Sequence, residues 1–319
     1  MGLINAFTSS PQKQQLHEPL PASAGFPASS KKRALLVGIS YAGTKYELRG
    51  SVNDVNCMSY MLRERFGFPA SCILMLTQED RDPGRVPTRE NLLRALRWLV
   101  EGTSAGDSLV FYFSGHGVQK LYMDGHTVEG CDEELWPVDF DGGSRGGVIL
   151  DDEINATIVQ PLRRGVKLHA IVDTGHSGTI LELPYVCRLS RTGGNWNWEE
   201  LQSRLSAGKT AMSTSGGLAI SISSCGGDSQ TSQDLLLGSA YTSAMTYSLI
   251  KAVESEPGTT YGRLLTAMRA TIRDSGREFG GMGPIGTFFR RVITFSRAQQ
   301  EPQLSASHTF DIYKKPFLL

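Results

Sequence analysis

Two short stretches hold residue types able to do chemistry. Ser114-Gly115-His116-Gly117 presents an imidazole between glycines. Asp173-Thr174-Gly175-His176-Ser177-Gly178 presents a carboxylate, a second imidazole and a hydroxyl among small residues. Each follows an apolar run, Leu109–Phe113 in the first case and Leu168–Val172 in the second. Short apolar runs that end in glycines read as buried strands, and in open α/β sheets ligands bind at the carboxyl ends of strands. An imidazole placed there is suited to general acid–base work, and its nucleophile must be far in sequence and near in space. His176 and Ser177 are neighbours on one turn and point apart, so they make a poor dyad. Asp151-Asp152-Glu153 suits the positive end of a helix, as does Asp54 in the first turn of an earlier one.

The elements that must position these residues follow from periodicity. Arg33–Ile39 is a strand with a continuous apolar core, and Gly38–Gly50 is a loop. A helix starts near Val52 or Asn53, buries Val55, Met58, Met61 or Leu62, and Phe66 at helical spacing, and stops at Gly67. Ile73–Leu76 is a second strand. Thr88 caps a helix whose apolar face is Leu92, Leu93, Leu96, Leu99 and Val100. Residues 119–150 read as loop with short hairpins, Asp151–Leu162 as a helix, and Leu168–Val172 as the fourth core strand. Beyond them come a strand at Leu218–Ile222 and helices at Tyr241–Glu254 and Tyr261–Arg273. A strand at Arg291–Phe295 and an edge strand in the tail Phe310–Leu319 complete the reading. Strands alternating with helices predict an α/β fold, with right-handed crossovers and a mostly parallel sheet flanked by helices.

Composition narrows the class. The chain has 319 residues, enough for one large α/β domain or two small ones. Lys plus Arg and Asp plus Glu are both 32, so no excess of positive charge argues for nucleic-acid binding. No apolar run is long enough to span a membrane, and neither a secretory signal nor a convincing myristoylation site is expected at the amino terminus. The five cysteines, Cys57, Cys72, Cys131, Cys187 and Cys225, contain no C-x-x-C pair. Reduced thiols in the cytosol or nucleus are the expectation. Residues 1–31, rich in Pro, Ser, Ala and Gln, read as a disordered arm.

The order Ser-Gly-His-Gly, then Asp-Thr-Gly-His-Ser-Gly, resembles the metacaspases, caspase-like cysteine peptidases of plants, fungi and protists. His116 precedes Gly175 by roughly 60 residues, similar to the spacing of about 50 in caspases. The resemblance covers residues 32–319 and implies a caspase-like sandwich. It implies a large-subunit region at 32–183, an exposed linker at 184–216 and a small-subunit region at 217–319. The short linker is similar to type I metacaspases, though the arm lacks cysteines for a zinc-finger prodomain. By the same resemblance His116 is the general base and Gly175 stands where the family has its nucleophilic cysteine. Ser51, in Gly50-Ser51-Val52-Asn53-Asp54, stands where some members carry a second reactive cysteine. Asp54, Ser114 and Asp173 match the pocket for a substrate Arg or Lys, which would lie between two carboxylates. Asp132, Asp151, Asp152 and Glu182 match an activating Ca²⁺ site, with Glu182 where Asp is usual. The expectation is a monomeric pseudopeptidase. It would bind basic peptides or proteins, or active metacaspases and their regulators, but neither nucleic acid nor membrane. The alternatives are an active cysteine endopeptidase with another nucleophile, Cys225 foremost, which the family would link to programmed cell death, or an inactivated form of an active one.

Overall fold

The computed structural model describes residues 31–124, 127–141, 147–174, 179–190, 194–201, 214–225, 234–237, 240–278 and 301–319. In chain order its elements are β1 (Lys32–Gly38), α1 (Ser51–Phe66), β2 (Ile73–Thr77), α2 (Arg89–Val100), β3 (Ser108–Ser114), β4 (Gly117–Asp124), β5 (Thr127–Leu135) and β6 (Ile149–Leu150). Then follow α3 (Asp151–Ile154), β7 (Lys167–Asp173), β8 (Tyr185–Leu189), β9 (Trp196–Glu200) and β10 (Leu218–Cys225). The last are β11 (Asp234–Leu237), β12 (Ala240–Ser243), α4 (Ala244–Ser255), α5 (Tyr261–Glu278) and β13 (Glu301–Ala306).

Eight strands form the central sheet, in the order β2-β1-β3-β7-β10-β13-β8-β9. The ladders from β2 to β10 are parallel, and the last three are antiparallel. β1, β3 and β7 are apolar on both faces because helices cover both. Successive side chains alternate faces. Ala34, Leu36, Val110, Tyr112 and Ile171 pack with α1, α4 and α5. Leu35, Val37, Phe111, Phe113, Ala170 and Val172 pack with α2 and the helical turns after β6. Thr88 caps α2 by accepting a bond from the Asn91 amide, and Gly67 ends α1 at φ 65°.

Four expectations are corrected. Residues 119–150 contain a long β4–β5 ladder, to which β6 adds a third strand. The helix expected at Asp151–Leu162 is α-helical only to Ile154 and continues as a π turn over Asn155–Val159. There the Gln160 amide bonds to Asn155 O, five residues back, and the buried Asn155 side chain donates to Leu181 O at 2.7 Å. The stretch 184–216 is not simply exposed. It supplies β8 and β9 to the sheet, because Val186, Cys187 and Trp196 bury their side chains. The tail Phe310–Leu319 forms no strand. Pro316 lacks an amide to donate, and Phe317 and Leu319 instead pack into the α1/α4/α5 face. The strand facing β10 is β13. Residues 1–30 and the expected strand Arg291–Phe295 lie outside the described residues.

Candidate active site

β3 and β7 run parallel and adjacent, with Ser114 opposite Asp173. His116 therefore leaves β3 at the level where Gly175 follows β7, although Gly175–Gly178 themselves lie outside the described residues. Gly115 is required between them: a Cβ there would stand 2.9 Å from the Phe113 ring and 3.0 Å from Tyr41 Oη. That close approach puts Tyr41 on the next residue. The His116 amide donates to Tyr41 Oη at 3.0 Å, and Tyr41 donates to Trp136 O at 2.6 Å. Tyr41 itself sits in the left-handed region at φ 46°.

The His116 ring is 4% exposed and packs among Tyr41, Tyr46 and Trp136, at centroid distances of 4.7, 5.9 and 5.5 Å. Its Nε2 lies 2.7 Å from Tyr46 O. A carbonyl only accepts, so Nε2 carries the proton and Nδ1 is the basic nitrogen. This is the tautomer a general base needs, with the ring oriented by a backbone group.

Asp54 and Asp173 are both 0% exposed. Asp54, in the first turn of α1, accepts from the Thr242 hydroxyl and from the Ser243 amide at 3.1–3.2 Å. Asp173, at the end of β7, accepts from the Ser243 hydroxyl and from Thr246 Oγ1 at 2.7 Å. Tyr112 Oη lies 2.7 Å from Thr246 Oγ1. Burial, reinforced by both carboxylates, raises the Tyr112 hydroxyl pKa far above its ordinary value. The structure thus joins two of the three expected pocket residues, Asp54 and Asp173, in one buried network, and places the third, Ser114, opposite Asp173 in the β3–β7 ladder. Thr242, Ser243, Thr246 and Tyr112 belong to it too. Hydroxyl residues near a helix start carry no sequence signal beyond capping, and so they escaped the sequence reading.

Three of the four expected calcium ligands converge. Carboxylate oxygens of Asp151, Asp152 and Glu182 lie within 4.8 Å of one another. Donors on opposite sides of one Ca²⁺ stand about 5 Å apart, since each bond is roughly 2.3–2.6 Å, so the span fits. Glu182 reaches inward from a left-handed residue at φ 47°. The backbone of Asp132 lies in β5 opposite Lys120, and its side chain is outside the described residues. Glu133, next in sequence, joins the cluster to the turn after Gly178. Its amide donates to Asp151 Oδ2 at 3.0 Å. Its carboxylate accepts from the Thr179 amide at 3.1 Å and from Thr179 Oγ1 at 2.7 Å. Burial pushes the Glu133 pKa up to about 7, with Asp151 adding to the rise and the Thr179 donors opposing it.

Cys57, Cys72 and Cys187 are buried free thiols. Burial pushes Cys57 and Cys187 up to about 12, helped by Asp54 and Glu199 respectively, which is the opposite of a nucleophile's need. The side chains of Cys131 and Cys225 are outside the described residues. Ser51, the first residue of α1, is 2% exposed.

The central sheet, the helices on both faces and the histidine at a strand end define a caspase-like α/β protein. The description "Metacaspase, peptidase C14 domain" matches residues 32–184. Metacaspase-2 of Arabidopsis thaliana is 48% identical over 316 residues, spanning 92% of this chain and 74% of that protein. Metacaspase-1 of the same plant is 49% identical over 313 residues, spanning 96% and 83%. A Geobacter sulfurreducens protein of known crystal structure superposes with TM-score 0.54 at 18% identity, over 91% of this chain and 99% of that one, which supports the fold alone. The chain belongs to the metacaspase family.

Proposed function

We propose that this chain is a type I metacaspase that has lost its nucleophile and works as a pseudopeptidase. It holds basic peptides, or pairs with active relatives or their regulators, without cutting. The observation that carries the reading is a single mismatch. His116 is oriented with Nε2 on Tyr46 O, as a base should be, while the partner position after β7 is Gly175, which has no side chain. The buried thiols Cys57 and Cys187 have pKa values raised, not lowered, so neither supplies a substitute.

The substrate class follows from the acidic pair. Asp54 and Asp173 share Ser243 as a common donor, and a guanidinium is the group that bonds two such carboxylates at once. Arg and Lys are therefore the favoured side chains. Asp151, Asp152 and Glu182, with Asp132 by family resemblance, would hold Ca²⁺. The bound ion would neutralise carboxylates that otherwise repel one another. Glu133 and Thr179 then tie that cluster to the segment carrying Gly175. Buried free thiols suit a reducing compartment, and no helix among the described residues is long and apolar enough to cross a membrane.

The test uses the unmodified chain. Incubated with Ca²⁺ and arginine or lysine peptide substrates, it should release no product above a buffer blank. Loss of a nucleophile alone costs on the order of 10⁶ in kcat in another hydrolase. It should still bind an arginine-containing peptide in preference to an aspartate-containing one. Turnover by the unmodified chain, or equal binding of the two peptides, would overturn the reading.

A further inference from the structure

The acidic pair is closed in this structure, and the residues closing it come from the other end of the chain. Ser243, the residue that caps α4, touches both carboxylates, with its amide on Asp54 and its hydroxyl on Asp173. Thr242 and Thr246 add one hydroxyl each, Thr242 to Asp54 and Thr246 to Asp173. Thr242, Ser243 and Thr246 are at most 1% exposed. A guanidinium engages a carboxylate pair in the same pattern, with N–H donors fanning out from one centre. We propose that the β12–α4 junction is a gate: its hydroxyl and amide donors occupy the acidic pair, and a basic side chain enters only by displacing them. The inference rests on the reading of Asp54 and Asp173 as the site for Arg or Lys.

Two observations make the junction displaceable. Its donors on the carboxylates carry no charge, whereas a guanidinium brings a positive charge that offsets the repulsion of the pair and a fork of donors that can engage both. β12 also lies outside the central sheet, and among the described residues it pairs with β11 in a two-stranded ribbon. Tyr241 fastens it to the α1 side. Asn53 Nδ2 donates to Tyr241 O at 3.0 Å, and Arg49 donates to Tyr241 Oη at 3.2 Å while standing 5.4 Å from its ring centroid. The Arg49 side chain is 62% exposed, so the outer fastening is open to solvent competition. A ligand that must first open this junction binds more weakly, by the fraction of molecules already open.

The experiment measures binding of an arginine-containing peptide amide to the full chain by calorimetry. Wild type is compared with Thr242→Val, Arg49→Ala and Asp54→Asn. Thr242→Val removes one donor from Asp54 at nearly constant shape, and Arg49→Ala loosens the fastening from an exposed site that folding does not need. Each should tighten binding, by about five-fold for the loss of one ordinary hydrogen bond. Hydrogen exchange at the Ser243 and Thr246 amides should accelerate when the peptide is bound. If Asp54→Asn abolishes binding but neither Thr242→Val nor Arg49→Ala tightens it, the pocket stands and the gate is wrong. Slower exchange at Ser243 and Thr246 would likewise overturn the gate, because the junction would then clamp the ligand. If no form binds the peptide, the basic pocket fails and the gate fails with it.

Discussion

Tyr41 decides where His116 sits. Its hydroxyl accepts the His116 amide and donates to Trp136 O, so it ties the backbone at His116 to the backbone just after β5. Tyr41→Phe leaves both groups buried without that partner and should destabilise the chain by about 1–3 kcal/mol in urea unfolding. No change in the midpoint would mean that the bonds are replaced. Gly115→Ala should be comparably damaging, at about 1–3 kcal/mol, because its Cβ meets the Phe113 ring at 2.9 Å. At this scale Ser-Gly-His-Gly was legible as a motif, but its support was not. A tyrosine in a loop has no periodicity, and neither the left-handed φ of Tyr41 nor that of Glu182 is visible from residue type. Ser243 and Thr246 were hidden for the same reason, since what they bond lies some 70 residues or more away in sequence.

Among the elements, β1, β2, β3 and β7 were legible because each contains a continuous apolar run, and β10 because Leu218, Ile220 and Ile222 recur at strand spacing. The β4–β5 ladder was not, since glycines and charges dilute its alternation. β8 and β9 were masked by the polar residues around Trp196. β7 also carries a titrating group away from the site. His169 is buried with Nε2 2.6 Å from Tyr261 Oη, while its Nδ1 has no hydrogen-bond partner among the described residues. Burial lowers its pKa to about 3, helped by Lys167 and Lys315. Its unfolded value near 6.5 lies higher, so the unfolded chain binds more protons in between. The stability this neutral imidazole contributes is complete above about pH 6.5 and is lost as pH falls toward 3. Unfolding free energy should drop between pH 7 and pH 5 in wild type, and less in His169→Leu. Equal slopes would place the acid sensitivity elsewhere. The turn from Thr179 to Glu182 gives a second test. Millimolar Ca²⁺ should raise the melting temperature, Mg²⁺ should do so less, and Glu182→Ala should remove most of the difference. Identical responses to the two ions would count against the site.

At the scale of the molecule, a caspase-like sheet brings His116 and the acidic pair to the carboxyl end of its central parallel strands. Asp54 comes from the first helix, His116 and Asp173 from neighbouring central strands, and Ser243 from the start of α4, so closure of the site depends on the whole fold. The claim that Gly175 alone silences this machine is tested most directly by restoring the thiol. Gly175→Cys gives Nδ1 of His116 a proton to take, and the resulting thiolate a carbonyl to attack. Cleavage of arginine and lysine peptides should be measured with and without Ca²⁺ for wild type, Gly175→Cys, and Gly175→Cys combined with His116→Ala. The account predicts no turnover in wild type, Ca²⁺-stimulated cleavage after the basic residue in Gly175→Cys, and its loss in the double variant. A folded, calcium-binding Gly175→Cys protein that stays silent, or a wild type that cleaves, would contradict it.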